Sequence, residues 1–357
     1  MLDASSFRSI ASGERRGPGA LTLRAILRTV ETPYAWAVKR RNRKYDGDVS
    51  ENDRVHRVDA PVVSIGNLTL GGTGKTPLVA WIVNRLQSQG RTPGIVSRGY
   101  GTKQGVANDE ALELARLTNE APHVQDPDRV AAARRAISEH GCEFIVADDA
   151  FQHRRLHRDL DVVLLDAIEP FGYEHVFPRG LLREPAESLR RADVVLLSRA
   201  DLATPARRAA VRARVALLAP STAWGEIAHV PTSLIGLDGT ERPIDELGDQ
   251  PIVAFCGLGN PTGFRQTLAR CNADVQTFIE FPDHYAYRES DYRRIADAAR
   301  ASNASMIVCT MKDLVKIDVP AFTAAELDIP LFALGIGIEF LEGEEMFLQR
   351  LDELTII

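Results

Sequence analysis

The sequence predicts an α/β fold: a parallel sheet with helices on both faces, followed by a second, smaller α/β domain. Three observations predict it. Short apolar runs alternate with helical segments from residue 61 onward, the first run opens into a glycine-rich turn, and the alternation lapses near residues 225–250 before resuming. Apolar runs without polar alternation belong to strands buried on both faces, and helices between them make the sheet parallel.

The chain has 357 residues and 45% hydrophobic content, enough for about two packed domains. A net charge of -6 argues against a nucleic-acid binder, which needs a basic field to grip a phosphate backbone. Cys142, Cys256, Cys271 and Cys309 form no C-x-x-C pair and read as reduced thiols. No apolar run approaches the ~18 residues of a membrane span, and the N-terminus lacks a signal-peptide core. A cytoplasmic protein is expected.

Taken in order, residues 1–20 are small, polar and glycine-rich and predict a poorly ordered start. "LTLRAILRTVETPYAWAVKRRNRKYD" follows, with Leu23, Ile26, Leu27, Val30, Tyr34, Ala37 and Val38 at helical spacing and a basic run from Lys39 to Lys44. Pro33 should kink or split this helix. Periodicity alone favours a helix packed on its own domain, against a helix lying in lipid headgroups with Trp36 and Tyr34 at the interface.

"PVVSIGN" reads as a buried strand, "GKTPLVAWIVNRLQSQG" as a helix closed by Gly90, and "TPGIVSRGYG" as a strand entering a loop. "CEFIVADDA", "DVVLLDA" and "ADVVLLSRADL" supply further strands. The stretch near 225–250 reads as a linker with turn residues and a short antiparallel pair. Four segments result: 1–45 with the amphipathic basic helix, a domain over 46–230, a linker over 231–250, and a smaller α/β domain over 251–357.

The turn after "VVSIGN" carries the first chemistry. Thr69, Leu70, Gly71, Gly72, Thr73, Gly74, Lys75 and Thr76 match a phosphate loop except at the first glycine, where Thr69 stands. Glycines let backbone N–H groups turn toward phosphate oxygens, and the following helix N-terminus adds partial positive charge. Lys75 would reach the β- and γ-phosphates and Thr76 would hold Mg²⁺. Pro77 suits a first helical turn. The large domain is therefore of the P-loop NTPase type, with a nucleotide and Mg²⁺ as expected ligands.

Such a loop needs a carboxylate at a neighbouring strand end, and "EFIVADDAFQH" offers Asp148 and Asp149 there. "LLSRADL" stands where guanine-reading proteins carry Asn/Thr-Lys-x-Asp, but Ser198 and Arg199 replace the leading pair, so guanine specificity is not expected. "HRRLHRD", His153 to Asp159, is either a solvated basic loop or a cationic rim for an acceptor phosphate.

Together "GNLTLGGTGKTP", "SRGYG", "NDEALELA", "DDAFQHRRLHRDLDVVLLDA", "PRGLLREP", "FPDHY" and "TMKDLVK" resemble the tetraacyldisaccharide 4′-kinase (lipid A 4′-kinase) family from about residue 20 to about 340. That family shares the threonine found here at residue 69. The resemblance implies transfer of the γ-phosphate of ATP to the 4′-hydroxyl of an acylated glucosamine disaccharide 1-phosphate. It also implies peripheral contact with the inner face of the cytoplasmic membrane, and it turns the reading of the N-terminal helix toward the lipid surface.

Residue by residue, the resemblance implies that 69–76 hold ATP and that Thr76, Asp148 and Asp149 serve Mg²⁺. It makes Asp109 the catalytic carboxylate, paired with His284, and places Asn67, Arg98, Gln152, His153, Arg183 and Glu184 near nucleotide or acceptor. An Asp oriented by a His is a reasonable base for a sugar hydroxyl, and putting the two on different domains would assemble them on closure. Read without the resemblance, Asp109 is a helix N-terminal carboxylate and His284 a loop histidine. Ala150, Asn108 and Met311 depart from the family's Gly, Gly and Glu, and the Pro expected after Glu110 is missing. The competing function is a P-loop NTPase acting as a regulatory or chaperone switch.

Overall fold

The structure is a computed structural model that describes residues 4–47, 53–99, 109–248, 250–259, 261–283, 285–323 and 329–354. Along the chain run α1 (Ala4–Ala11), α2 (Pro18–Arg43), β1 (Val62–Asn67), α3 (Lys75–Ser88), β2 (Pro93–Ser97), α4 (Asp109–Leu117), β3 (His123–Gln125), α5 (Arg129–His140), β4 (Phe144–Asp148), β5 (Leu160–Asp166) and β6 (Val194–Ser198). There follow α6 (Pro205–Leu218), β7 (Ala223–Gly236), β8 (Glu241–Pro243), β9 (Pro251–Cys256), α7 (Pro261–Arg270), β10 (Asp274–Glu280), α8 (Glu289–Ala301), β11 (Met306–Thr310), α9 (Met311–Leu314), α10 (Val319–Thr323), β12 (Leu331–Glu342) and α11 (Glu344–Glu353). The chain divides into two compact units, one of residues 1–99, 121–229 and 338–357, the other of residues 100–120 and 230–337.

In the first unit the strand order is β7-β6-β5-β1-β4-β2-β3, and the paired strands run parallel. β1, β2, β4 and β6 are buried along their whole length, which is why they read as unbroken apolar runs. α3 packs on β1, β2 and β4 and buries Leu78, Val79, Ile82, Val83 and Leu86, a helical stripe. α5 is bounded by Asp128, whose side chain accepts from Val130 N, and by left-handed Gly141. β1 lies between β4 and β5, so its neighbours lie on opposite sides and a crevice opens at its carboxyl end.

The second unit holds the parallel run β10-β9-β11-β12. α8 lays Tyr292, Ile295, Ala296 and Ala299 into its core beside Phe255, Ile279 and Ile307. α4 packs on α9.

Three local expectations change. The N-terminal stretch, expected to be poorly ordered, forms α1 with Ile10 and Ala11 buried. Its last carbonyls are satisfied by Arg24, at 3.2 Å from Ile10 O, and Arg179, at 2.9 Å from Ala11 O. α2 runs unbroken through Pro33. Side chains on both sides of the proline pin it: Glu31 accepts from Val176 N at 2.8 Å, and Asn42 Nδ2 donates to Glu184 at 2.6 Å. Those ties outweigh the one backbone bond the proline removes. The linker-like stretch begins within the 14-residue strand β7, which with β8 does form the antiparallel pair. The thiols of Cys142, Cys256 and Cys309 are free and buried, as expected.

Candidate active site

The loop leaves β1 at Asn67, which is fully buried and ties the turn together by donating from Nδ2 to Thr69 O at 3.0 Å and Gly71 O at 3.4 Å. Leu70 N donates to Leu181 O and Arg183 N to Leu68 O, each at 2.7 Å. The loop is thus stitched to the segment that carries Arg183 and Glu184. Gly74 takes a left-handed conformation, φ 76°, as the N-cap of α3, which only glycine adopts without strain. The buried Thr73 hydroxyl has no hydrogen-bond partner among the described residues. A buried donor of this kind inside a ring of loop N–H groups suits a phosphate oxygen.

At the end of β4, Asp148 is buried and Asp149 turns into the left-handed region at φ 50°. Asp149 meets Lys75 Nζ at 3.2 Å and receives Arg183 Nη1 at 2.8 and 2.9 Å. Burial opposes its charge, but Lys75 and Arg183 prevail and hold the carboxyl below its ordinary range. The loop lysine thus meets a carboxylate of the same centre. The hard-oxygen set of Thr76, Asp148 and Asp149 suits Mg²⁺, a cation that completes its octahedron with phosphate oxygens and water.

Gln152 and Glu184 form the next layer. Gln152 Nε2 donates to Asn67 O at 2.9 Å and Glu184 Oε1 at 3.1 Å. Glu184 is fully buried. Burial works against its ionisation, but Arg191, bonded twice at 3.1 Å, outweighs it and lowers the carboxyl's pKa. His153 is driven down to about 4, first by burial and then by Arg129, so it is a neutral imidazole near pH 7. The basic run around it is committed inward: Arg154 donates to Asn42 O and Tyr45 O at 2.8 Å, Arg155 to Asp128 at 2.9 Å, and Arg158 to Asp161 at 3.0 Å.

Arg98 follows β2 and is exposed. Asp109 is the first residue of α4, in the second unit. His284 and Asn108 lie outside the described residues. The structure thus brings together Asn67, residues 69–76, Asp148, Asp149, Gln152, Arg183 and Glu184. Sequence reasoning missed Asn42 of α2, which touches Glu184, Arg199 and His229, which touch the loop at Gly72 and Gly74, and Asp166, which pairs with Arg199. Asn42 sits inside the basic run and carries no spacing signal.

A phosphate loop with its lysine, a strand-end carboxylate pair and a parallel sheet around them define a P-loop phosphotransferase class. Residues 23–355 match the profile of tetraacyldisaccharide-1-P 4′-kinases. Among curated relatives, the tetraacyldisaccharide 4′-kinase of Anaeromyxobacter dehalogenans strain 2CP-C is 38% identical, covering 96% of this chain and 93% of its own. That of Geobacter metallireducens is 36% identical over 82% of this chain and 88% of its own. A solved structure of LpxK from Aquifex aeolicus in complex with ATP superposes with a TM-score of 0.73 at 27% identity, over 93% of this chain and 99% of that one. The chain belongs to the tetraacyldisaccharide 1-phosphate 4′-kinase family.

Proposed function

We infer that the chain transfers the γ-phosphate of ATP to the 4′-hydroxyl of a tetraacylated glucosamine disaccharide 1-phosphate. The observation that carries this reading is the phosphate loop with Lys75 and Arg183 both paired to Asp149, in a chain of this family. Lys75 and the loop N–H groups bind and orient the triphosphate, and Arg183 adds charge beside it. Thr76, Asp148 and Asp149 would hold Mg²⁺, which when bound neutralises charge on the β- and γ-phosphates.

Asp109 takes the proton of the sugar hydroxyl and His284 orients it. In this division of labour the unit of residues 1–99, 121–229 and 338–357 carries the phosphate loop, and Asp109 and His284 both belong to the unit of residues 100–120 and 230–337, not to different domains as the sequence suggested. A base is needed because a sugar hydroxyl is a poor nucleophile near neutral pH. Arg98, Gln152 and His153 lie on the nucleotide or acceptor side. The regulatory or chaperone switch is not favoured by the family match.

The acceptor's acyl chains place the reaction at a lipid surface, at the inner face of the cytoplasmic membrane. Support comes from α2, which exposes Leu21, Ile26, Val30, Tyr34 and Trp36 and ends in Lys39, Arg40, Arg41, Arg43 and Lys44. Apolar side chains beside a basic run suit an anionic interface. No described helix is long and apolar enough to cross a membrane. The protein is expected to add one phosphate to the acylated disaccharide 1-phosphate in mixed micelles with Mg-ATP, read by mass spectrometry, and Lys75→Ala is expected to abolish it. ATP hydrolysis without lipid phosphorylation would overturn the reading.

A further inference from the structure

The run "SRAD" has no part in the chemistry above. It ends β6, with Ser198 fully buried, and Arg199 follows in the left-handed region at φ 57°, ψ 36°. An arginine adopts that conformation only under constraint, since its Cβ crowds the following carbonyl. The turn directs its guanidinium to the back of the phosphate loop. Nη2 donates to Gly72 O at 3.2 Å and is ion-paired with Asp166, the last residue of β5.

A second contact reaches the same loop two residues on. His229, on β7, shares a hydrogen bond with Ser198 Oγ at 3.2 Å. Its ring packs so closely on Gly74 that a Cβ there would overlap the imidazole. Burial, and then Arg199, push this histidine down to about 4, so it stays neutral at working pH. The ends of β5 and β6, with His229 of β7, thus hold the loop at the Gly72 carbonyl and the Gly74 Cα. Between these points lies Thr73, whose buried hydroxyl has no partner among the described residues.

We propose that Arg199 is a positioning residue for the nucleoside triphosphate: by holding the Gly72 carbonyl away from the ligand it keeps the loop N–H groups turned inward. A peptide unit whose C=O is anchored outward must present its N–H on the opposite side. Arg199 acts through this backbone rather than by adding net charge, because Asp166 already neutralises its guanidinium. His229 is the wedge that fixes Gly74 beside it. The proposal rests on the ATP-binding reading and assigns the strained arginine a purpose that a surface ion pair would not require.

The test measures ATP, ADP and AMP binding to the full chain by calorimetry, with KM for ATP and lipid and kcat alongside, for the parent and for Arg199→Ala, Arg199→Lys and Arg199→Ala/Asp166→Asn. Arg199→Ala is expected to weaken ATP and ADP about 10- to 100-fold, with AMP, which offers the loop no β- or γ-phosphate, changed less than twofold. KM for lipid is expected to hold. Arg199→Lys, which keeps an N–H for Gly72 O, is expected to recover part of the loss, and it supplies the test if the alanine variant does not fold. The double variant is expected to stay weak. ATP affinity unchanged in Arg199→Ala, or restored to the parent value in the double variant, would overturn the proposal, the latter by showing that an unmasked Asp166 charge was the cause. A parent chain that binds no ATP would instead sink the nucleotide reading itself.

Discussion

Replacing Glu113 by Gln should stabilise the protein in alkaline solution and leave it unchanged in acid. Glu113 lies on α4, one turn after Asp109, partly buried against the segment that holds Lys312 and Asp313. Its pKa is raised from 4.5 to about 7, chiefly by burial; Lys312 opposes the rise, while Glu110, Asp313 and Asp109 add to it. The folded state therefore binds a proton that the unfolded chain has released. Between pH 4.5 and about 7 folding takes up protons, so the contribution is fully present below 4.5 and is lost as pH rises through 7. A shift from 4.5 to about 7 at 1.36 kcal/mol per unit is roughly 3 kcal/mol. Partial exposure reduces this, and ~1–3 kcal/mol is the expected gain for Glu113→Gln at pH 8, against ~0 at pH 4.5. Urea unfolding of both proteins across pH 4.5–8.5 measures the difference directly, because every other titrating group cancels between them. A difference that does not grow with pH would refute the argument.

His284→Ala should slow the chemical step by ~10²- to 10⁴-fold while leaving ATP affinity within about twofold; single-turnover rates equal to the parent's would remove the histidine from the proton transfer. Ile26→Glu combined with Val30→Glu takes two half-exposed apolar side chains from a lipid surface, a loss of about 2 kcal/mol. Binding to anionic vesicles should fall more than tenfold in co-sedimentation, with ATP binding unaffected. Unchanged vesicle binding would mean that α2 does not enter the lipid.

What could be read in advance was whatever a local pattern encodes. Val62–Asn67 had to be a buried strand and residues 71–76 a turn into a helix, because the apolar run, the glycines and the Lys-Thr pair all bear on the same residues. Asp148 and Asp149 were legible as a strand-end pair. Illegible was whatever depends on a distant partner. Nothing near Pro33 reveals that Glu31 and Asn42 have ligands more than 140 positions away. Arg199 looked like a failed guanine motif because a left-handed backbone cannot be inferred from "SRAD". The basic run from His153 offered two readings, a solvated loop or a phosphate rim, and its arginines proved to be bound to carbonyls and carboxylates of their own unit. Charge density along a sequence shows that cations are present, not what they face.

The bond from Asn42 to Glu184 has a consequence for geometry at a lipid surface. α2 is 26 residues long, a rod of roughly 39 Å, and one end is pinned to the carboxylate that Gln152 links to Asn67 at the mouth of the phosphate loop. On the proposed membrane reading, a rod lying in the interface would fix the height of the loop above the bilayer as by a depth gauge. A sugar headgroup would then arrive at the same level whatever the length of its tails. On that reading, any preference among acyl chains would arise from contacts with the tails themselves, because the stand-off distance gives none.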